Sequence, residues 1–155
     1  MTWTCSADDR LRGCIGSLEA RPLSSGLPDF ALTSALRDRR FAPVAAKELP
    51  ALECTVSLLS RYEKAAAWDD WVVGTHGVLL SFACPATGQR RSATYLPEIA
   101  EREGWSKRVA VESLVRKAGH SGAVSDRLLA SCAVTRYQSS KLTRTHAEWL
   151  ASLPN

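Results

Sequence analysis

The sequence predicts an α+β fold, a mainly antiparallel sheet flanked by helices, in a single domain over residues 1–155. Three observations carry this. Stretches that alternate polar and apolar residues come in pairs joined by short turn-forming segments, the spacing of hairpins and not of β-α-β units. Stretches with apolar residues three and four apart open on Ser or Pro and close on Gly or Arg, as amphipathic helices do. The chain has 155 residues, 45% of them hydrophobic and 23% charged, which supports one buried core and is too short for two full-size domains.

The elements follow in order. Thr2 to Ser6 and Leu11 to Leu18 pair as a hairpin across a turn-like Ser6-Ala-Asp-Asp. Leu27 to Arg39 reads as a helix with Ser24 or Ser25 as its cap, Pro28 near its first turn and Leu27, Phe30, Ala31 and Ala35 as its apolar stripe. Arg37, Arg39 and Arg40 close it, against the negative end of the helix dipole. Glu53 to Ser60 sets Cys54, Val56 and Leu58 against polar neighbours, a half-buried strand. Val78 to Cys84 and Arg90 to Leu96 flank Pro85-Ala-Thr-Gly-Gln89 as a second hairpin. Pro97 opens a short helix closed by Gly104, Ser106 caps another to about Ala118, Ser131 to Gln138 is a late strand, and Thr145 to Leu150 a terminal helix.

Composition excludes several classes. No apolar run is long enough for a transmembrane helix, and the start lacks the basic and apolar regions of a signal peptide. The five cysteines, Cys5, Cys14, Cys54, Cys84 and Cys132, are odd in number and widely spaced, which points to a reducing compartment, cytosol or nucleus. No pair of ligands has zinc spacing, and no glycine-rich nucleotide loop occurs, so no metal or cofactor is expected. The net charge of +4 is uneven: residues 1–85 carry −1 and residues 86–155 carry +5. The basic half, with Tyr95, Trp105, Tyr137 and Trp149 interspersed, has the composition of a nucleic-acid groove, although Arg108, Glu112 and Arg116 stand at helical ion-pair spacing.

The informative segment is Leu11-Arg12-Gly13-Cys14-Ile15-Gly16. Two glycines in six residues weaken a strand. Strand alternation sets Arg12, Cys14 and Gly16 on one face and Leu11, Gly13 and Ile15 on the other. The first face then holds a guanidinium beside a thiol, next to a notch at Gly16 where a ligand or another backbone approaches. A guanidinium favours thiolate and also binds carboxylate or phosphate. The alternative is that the glycines only permit close packing and Cys14 is a small hydrophobe. Elsewhere, His76 stands in a glycine-bracketed turn as a base for Cys14 or as a locally hydrogen-bonded turn residue, and Glu98 follows Pro97 at a helix start, where a carboxylate offsets the dipole.

This hexapeptide, with Leu32-Thr-Ser-Ala-Leu-Arg-Asp38, Val73-Gly-Thr-His-Gly-Val78, Ala93-Thr-Tyr-Leu-Pro-Glu-Ile-Ala100, Gly104-Trp105, Leu114-Val-Arg-Lys-Ala-Gly119 and Thr135-Arg-Tyr137, resembles the AMMECR domain family, named for AMME-syndrome candidate gene one. The likeness runs from about Trp3 to Leu150 and is nearer to eukaryotic members. It implies a larger and a smaller lobe with a cleft between them, lined by the hexapeptide. It also places His76 and Glu98 in family motifs. It implies no reaction, since the family's activity is not established; prokaryotic relatives are linked to Memo-like and radical-SAM proteins, and vertebrate ones to the nucleus. Family members usually carry a helix and more chain before the strand at Trp3. Three readings stand side by side: recognition of a protein partner or small anionic ligand by Arg12, Gly13, Gly16 and Glu98; an enzyme with Cys14 as nucleophile and His76 as base; and a nucleic-acid binder. No membrane is expected to be a partner.

Overall fold

The computed structural model describes residues 1–154. Twelve elements occur in the order β1 (Thr2–Cys5), β2 (Leu11–Cys14), α1 (Leu23–Leu36), a 3-10 turn (Ala46–Ala51), β3 (Leu52–Lys64), β4 (Gly77–Ala83), β5 (Arg90–Tyr95), α2 (Pro97–Arg102), α3 (Lys107–Lys117), α4 (Asp126–Ser131), β6 (Ala133–Thr145) and α5 (His146–Ala151). The strand order is β2-β1-β3-β6-β4-β5, and the pairings β1–β2, β1–β3, β4–β5 and β4–β6 are antiparallel. The fold is therefore α+β, as the hairpin spacing predicts. No helix among the described residues is long and apolar enough to cross a membrane. The chain divides into two compact units, residues 1–58 with 141–155, and residues 59–140.

In the second unit the pleat sends Val78, Leu80 and Phe82 of β4 inward onto Ala110, Val111, Leu114 and Val115 of α3, with Trp71, Ala100, Leu128, Leu129 and Val134 completing the core. The helix forms as the sequence predicts. The Ser106 hydroxyl accepts the Val109 N–H at 3.3 Å, and Arg108 reaches Glu112 at 2.9 Å along the outer face. Pro97 opens α2 and Gly104, at φ +65°, follows its end. Helix α4 has no counterpart in the sequence reading. At six residues it is too short to show periodicity, and it forms because Ser125 caps it at 3.2 Å and Leu128 and Leu129 are buried.

The family motifs of this unit meet at Tyr137. Its ring is fully buried and lies where a side chain at Gly77 would stand, 2.4 Å from that Cβ position. Its hydroxyl donates to the Tyr95 carbonyl at 3.0 Å and lies 2.8 Å from the Thr94 hydroxyl, while Tyr62 stacks on the ring at 5.2 Å. Burial pushes the phenol up to about 12.

In the first unit β1 lies between β2 and β3, and α1 packs on β1 and β2. Two expectations are corrected here. Helix α1 starts at Leu23, not Leu27, with Pro22 as its cap and no side-chain cap; the Ser25 hydroxyl instead donates back to the Pro22 carbonyl, and Pro28 lies in the second turn. The helix also ends at Leu36, so Arg39 and Arg40 lie beyond it and do not serve its dipole. Helix α5 starts as predicted, its Thr145 and Glu148 exchanging side-chain-to-backbone bonds at 3.2 and 2.8 Å.

Tyr137→Phe keeps the ring and removes the hydroxyl, and with it the bond to the Tyr95 carbonyl, and is expected to cost about 0.5–1.5 kcal/mol. Gly77→Ala drives a methyl into the same ring and is expected to cost at least as much. Urea unfolding midpoints check both.

Candidate functional site

The hexapeptide occupies β2, an edge strand, and the two residues after it. Its pairing with β1 sets Thr2 opposite Cys14, Trp3 opposite Gly13 and Thr4 opposite Leu11, which leaves Arg12 as the extra residue of a bulge. A bulge breaks the two-residue alternation and re-aims the residue it displaces. The expectation that simple alternation sets Arg12 beside Cys14 therefore does not hold through this point. The Arg12 guanidinium goes instead to the segment before and within the 3-10 turn. Its Nη1 donates to the Ala42 carbonyl at 2.7 Å and its Nη2 to the Pro43 carbonyl at 3.3 Å, while Nε and Nη2 grip Glu48 at 3.2 and 2.9 Å. Arg12, followed by the Ala45 N–H at 2.8 Å, holds the Glu48 carboxyl below its ordinary value. Only 15% of the arginine side chain is exposed, so this cation is committed to the protein's own backbone and carboxylate.

Gly13 has a packing role. A Cβ there would stand 2.0 Å from the Ser34 carbonyl oxygen of α1, so helix and strand approach as closely as they do only because the side chain is absent. Trp3, opposite Gly13, donates its indole N–H to the Ser34 hydroxyl at 3.1 Å and to the Ala31 carbonyl at 3.2 Å.

Cys14 lies at the outer edge. Ile15 exchanges both backbone bonds with Met1 at 3.1 Å, so the intervening Cys14 backbone faces away from β1. Two side chains meet it there. Asp38 accepts the Cys14 N–H at 2.9 Å and Arg40 donates to the Cys14 carbonyl at 3.1 Å, as a neighbouring strand would. Arg40 also binds Asp38 at 2.7 Å. These bonds, the Arg40 side chain first and then the Cys14 N–H, hold the buried Asp38 carboxyl well below its ordinary value of 3.8. The Cys14 thiol is half-buried and sits 3.2 Å from the Thr2 hydroxyl. Gly16 is exposed, and the space where its side chain would stand holds nothing within 4 Å. Arg37, Arg39 and Arg40 are exposed on the same segment that supplies Asp38.

The other predicted residues lie in the second unit. His76 is half-buried and its Nδ1 accepts the Val72 N–H at 3.0 Å, while its own N–H donates to the Val72 carbonyl at 2.9 Å; this is the local turn bonding. Gly74, at φ +79°, leaves room for the Glu101 carboxylate. Glu98 stands in the first turn of α2, half-buried, and its charge acts on the Tyr137 hydroxyl. Of the rings named as stacking platforms, Tyr137 is buried, and Tyr95 and Trp105 pack on each other at 5.8 Å against the core, while Trp149 is exposed. Missed in the sequence is the Cys84 thiol, which Thr87 first, then Ala86 and His120, bring down to about 6. His120 stands thirty-six positions from Cys84 in sequence, so no spacing links the two. No cluster of metal-ligating side chains occurs among the described residues.

Gly13→Ala is expected to destabilise by about 1–3 kcal/mol or more, since a helix carbonyl cannot give way as a flexible side chain can, whereas Gly16→Ala should fall within about 0.5 kcal/mol of wild type. Denaturant midpoints decide this. Because Asp38 titrates lower in the folded chain than in the unfolded one, its contribution is present above the ordinary value and disappears as pH falls below it. Wild type should therefore lose stability between about pH 5 and 2 more steeply than Asp38→Asn, read as the pH dependence of the urea midpoint.

Known proteins bear on this geometry. The family model described as AMMECR1 matches residues 1–142. An uncharacterised protein of Arabidopsis thaliana is 54% identical over 144 residues, covering 93% of this chain and 67% of the plant protein. One of Schizosaccharomyces pombe is 40% identical over 146 residues, covering 94% and 73%. The crystal structure of an uncharacterised protein from Pyrococcus horikoshii superposes with a TM-score of 0.74 at 24% identity, over 92% of this chain and 71% of that one, and has the same fold. On the family model and the two eukaryotic relatives, the chain belongs to the AMMECR1 family.

Proposed function

We propose that this chain is a recognition domain whose contact surface centres on Gly16 and the adjoining Cys14 edge of β2. The observation that carries the reading is the open space at Gly16, two residues past an edge strand whose last residue, Cys14, is held in place. Asp38 and Arg40 satisfy the Cys14 backbone and keep the strand rigid up to that point. Beyond it, an exposed glycine with an empty side-chain position lets a partner's backbone approach closely. The exposed arginines 37 and 39 favour a partner that brings negative charge. Arg12 acts in this reading as a positioning residue: through Glu48 and the carbonyls of Ala42 and Pro43 it holds the segment that ends at the 3-10 turn. Glu98 and His76 belong to the other unit and are secondary to it.

Gly16→Val is the direct test, because its new side chain enters open space and leaves the fold intact. Capture of a partner by the wild-type chain should drop at least tenfold in the variant, with unchanged circular dichroism and urea midpoint. Equal capture would remove Gly16 from the surface. The reading of Cys14 as a nucleophile separates cleanly: Cys14→Ser retains capture under recognition, and abolishes any turnover that depends on the thiol.

A further inference from the structure

One face of the sheet in the second unit belongs to the core, because Val78, Leu80 and Phe82 of β4 point into it. The pleat therefore sends Gly77, Leu79 and Ser81 to the other face. Residues directly opposite in an antiparallel pair share a face, so Tyr137, Thr135 and Ala133 of β6 stand there, and so do Thr94, Ser92 and Arg90 of β5. At its Gly77 end this face is filled by the Tyr137 ring, which sits against the Thr94 hydroxyl. At the Ser81 end no ring follows. Ser81, Ser92 and Ala133 lie side by side across three strands, all too small to fill the space above them. The face opens here into a basin of about 980 Å³, within the range of about 300–1,000 Å³ that small-molecule sites occupy. Residues 64–68, at and after the end of β3, bound it, joined to β6 where the Ala65 N–H donates to the Val134 carbonyl at 3.0 Å. Ala130, near the end of α4, also lines it.

The lining is one-sided in charge. It includes Lys64, Arg90 and Arg91 and no carboxylate. Arg91 turns to the core side of the sheet and binds the carbonyls of Ala118 and Gly119. Lys64 and Arg90 are exposed, and neither forms an ion pair or a side-chain hydrogen bond among the described residues; Glu63, beside Lys64, is taken by Arg136. The Ser81, Ser92 and Thr135 hydroxyls are likewise left without a partner within the described chain. Ser81 and Ser92 are directly opposite, which sets their Cβ atoms about 5 Å apart. Arg90 stands two residues from Ser92 on the same face, about 7 Å along the strand. Two hydroxyl donors and a guanidinium thus flank one corner of the basin. The three terminal oxygens of a phosphate monoester match three such donors, where a carboxylate offers only two. Beside this corner the lining is apolar, with Leu79, Ala133 and Trp68. We propose that the basin binds a small phosphate monoester, its phosphoryl group at the Arg90–Ser92–Ser81 corner, its organic part over Leu79 and Ala133 toward Trp68, and Lys64 at the far rim.

The test titrates the full chain with phenyl phosphate and follows its backbone amide signals by NMR, with phenol, inorganic phosphate and a short phosphoserine peptide as the other probes. Phenyl phosphate should shift the amides of residues 79–81, 90–92 and 133–135 saturably and bind at least about tenfold more tightly than phenol. It should also bind more tightly than inorganic phosphate, which lacks the organic part. Arg90→Gln should raise the dissociation constant at least about fivefold with an unchanged urea midpoint. Ser92→Ala should raise it as well; both side chains are exposed, so these variants keep the fold. Shifts that do not saturate, shifts centred on Arg37 and Arg39, or wild-type affinity in Arg90→Gln would overturn the proposal. Inorganic phosphate binding as tightly as phenyl phosphate would remove the organic part from it, and tighter binding of the phosphoserine peptide would overturn the small-molecule assignment. Gly16→Val lies in the other unit and leaves this binding unchanged, so this result and the recognition reading fail independently.

Discussion

The backbone of an edge strand must end its hydrogen bonds somewhere, and in β2 it ends them on two side chains. At Cys14 the outward N–H and carbonyl meet Asp38 and Arg40, which also bind each other. A carboxylate that accepts and a guanidinium that donates reproduce the pattern of a paired strand without supplying one. The arrangement needs Asp38 ionised and buried, and it needs the chain to turn sharply after α1. The end of α1 at Leu36 and the Glu48–Arg12 clamp together bring residues 37–48 alongside β2.

The glycines of this family's motifs divide by the same logic of space. Gly13 gives its side-chain position to a helix carbonyl, Gly77 to the Tyr137 ring and Gly74 to the Glu101 carboxylate. Each is occupied from within, and each explains a motif by packing. Gly16 is exposed and its position is empty. Packing within the chain does not account for Gly16, which is why the proposed recognition reading rests there and not on the neighbouring arginine.

The cysteines show how little residue type says about reactivity. The thiol beside an arginine in sequence finds a threonine hydroxyl in space, because the bulge turns the arginine elsewhere. The Cys84 thiol, in an ordinary-looking hairpin turn, is brought down to about 6 by Thr87 first and then by Ala86 and His120. What raises or lowers a thiol is the set of donors and the desolvation at its sulfur, and both are products of the fold.

Local rules were enough to read the α+β class, the two hairpins, the serine cap at residue 106, the terminal helix and the inward face of α3. These depend on alternation, helical spacing and capping, which act over a few residues. The start of α1 was not legible, because a helix capped without a side chain leaves no mark, nor was the bulge at Arg12, which exists only in the register against β1. Whether an arginine is free or committed and which glycine is filled were decided by residues tens of positions apart brought within bonding distance, and only the tertiary structure sets those distances.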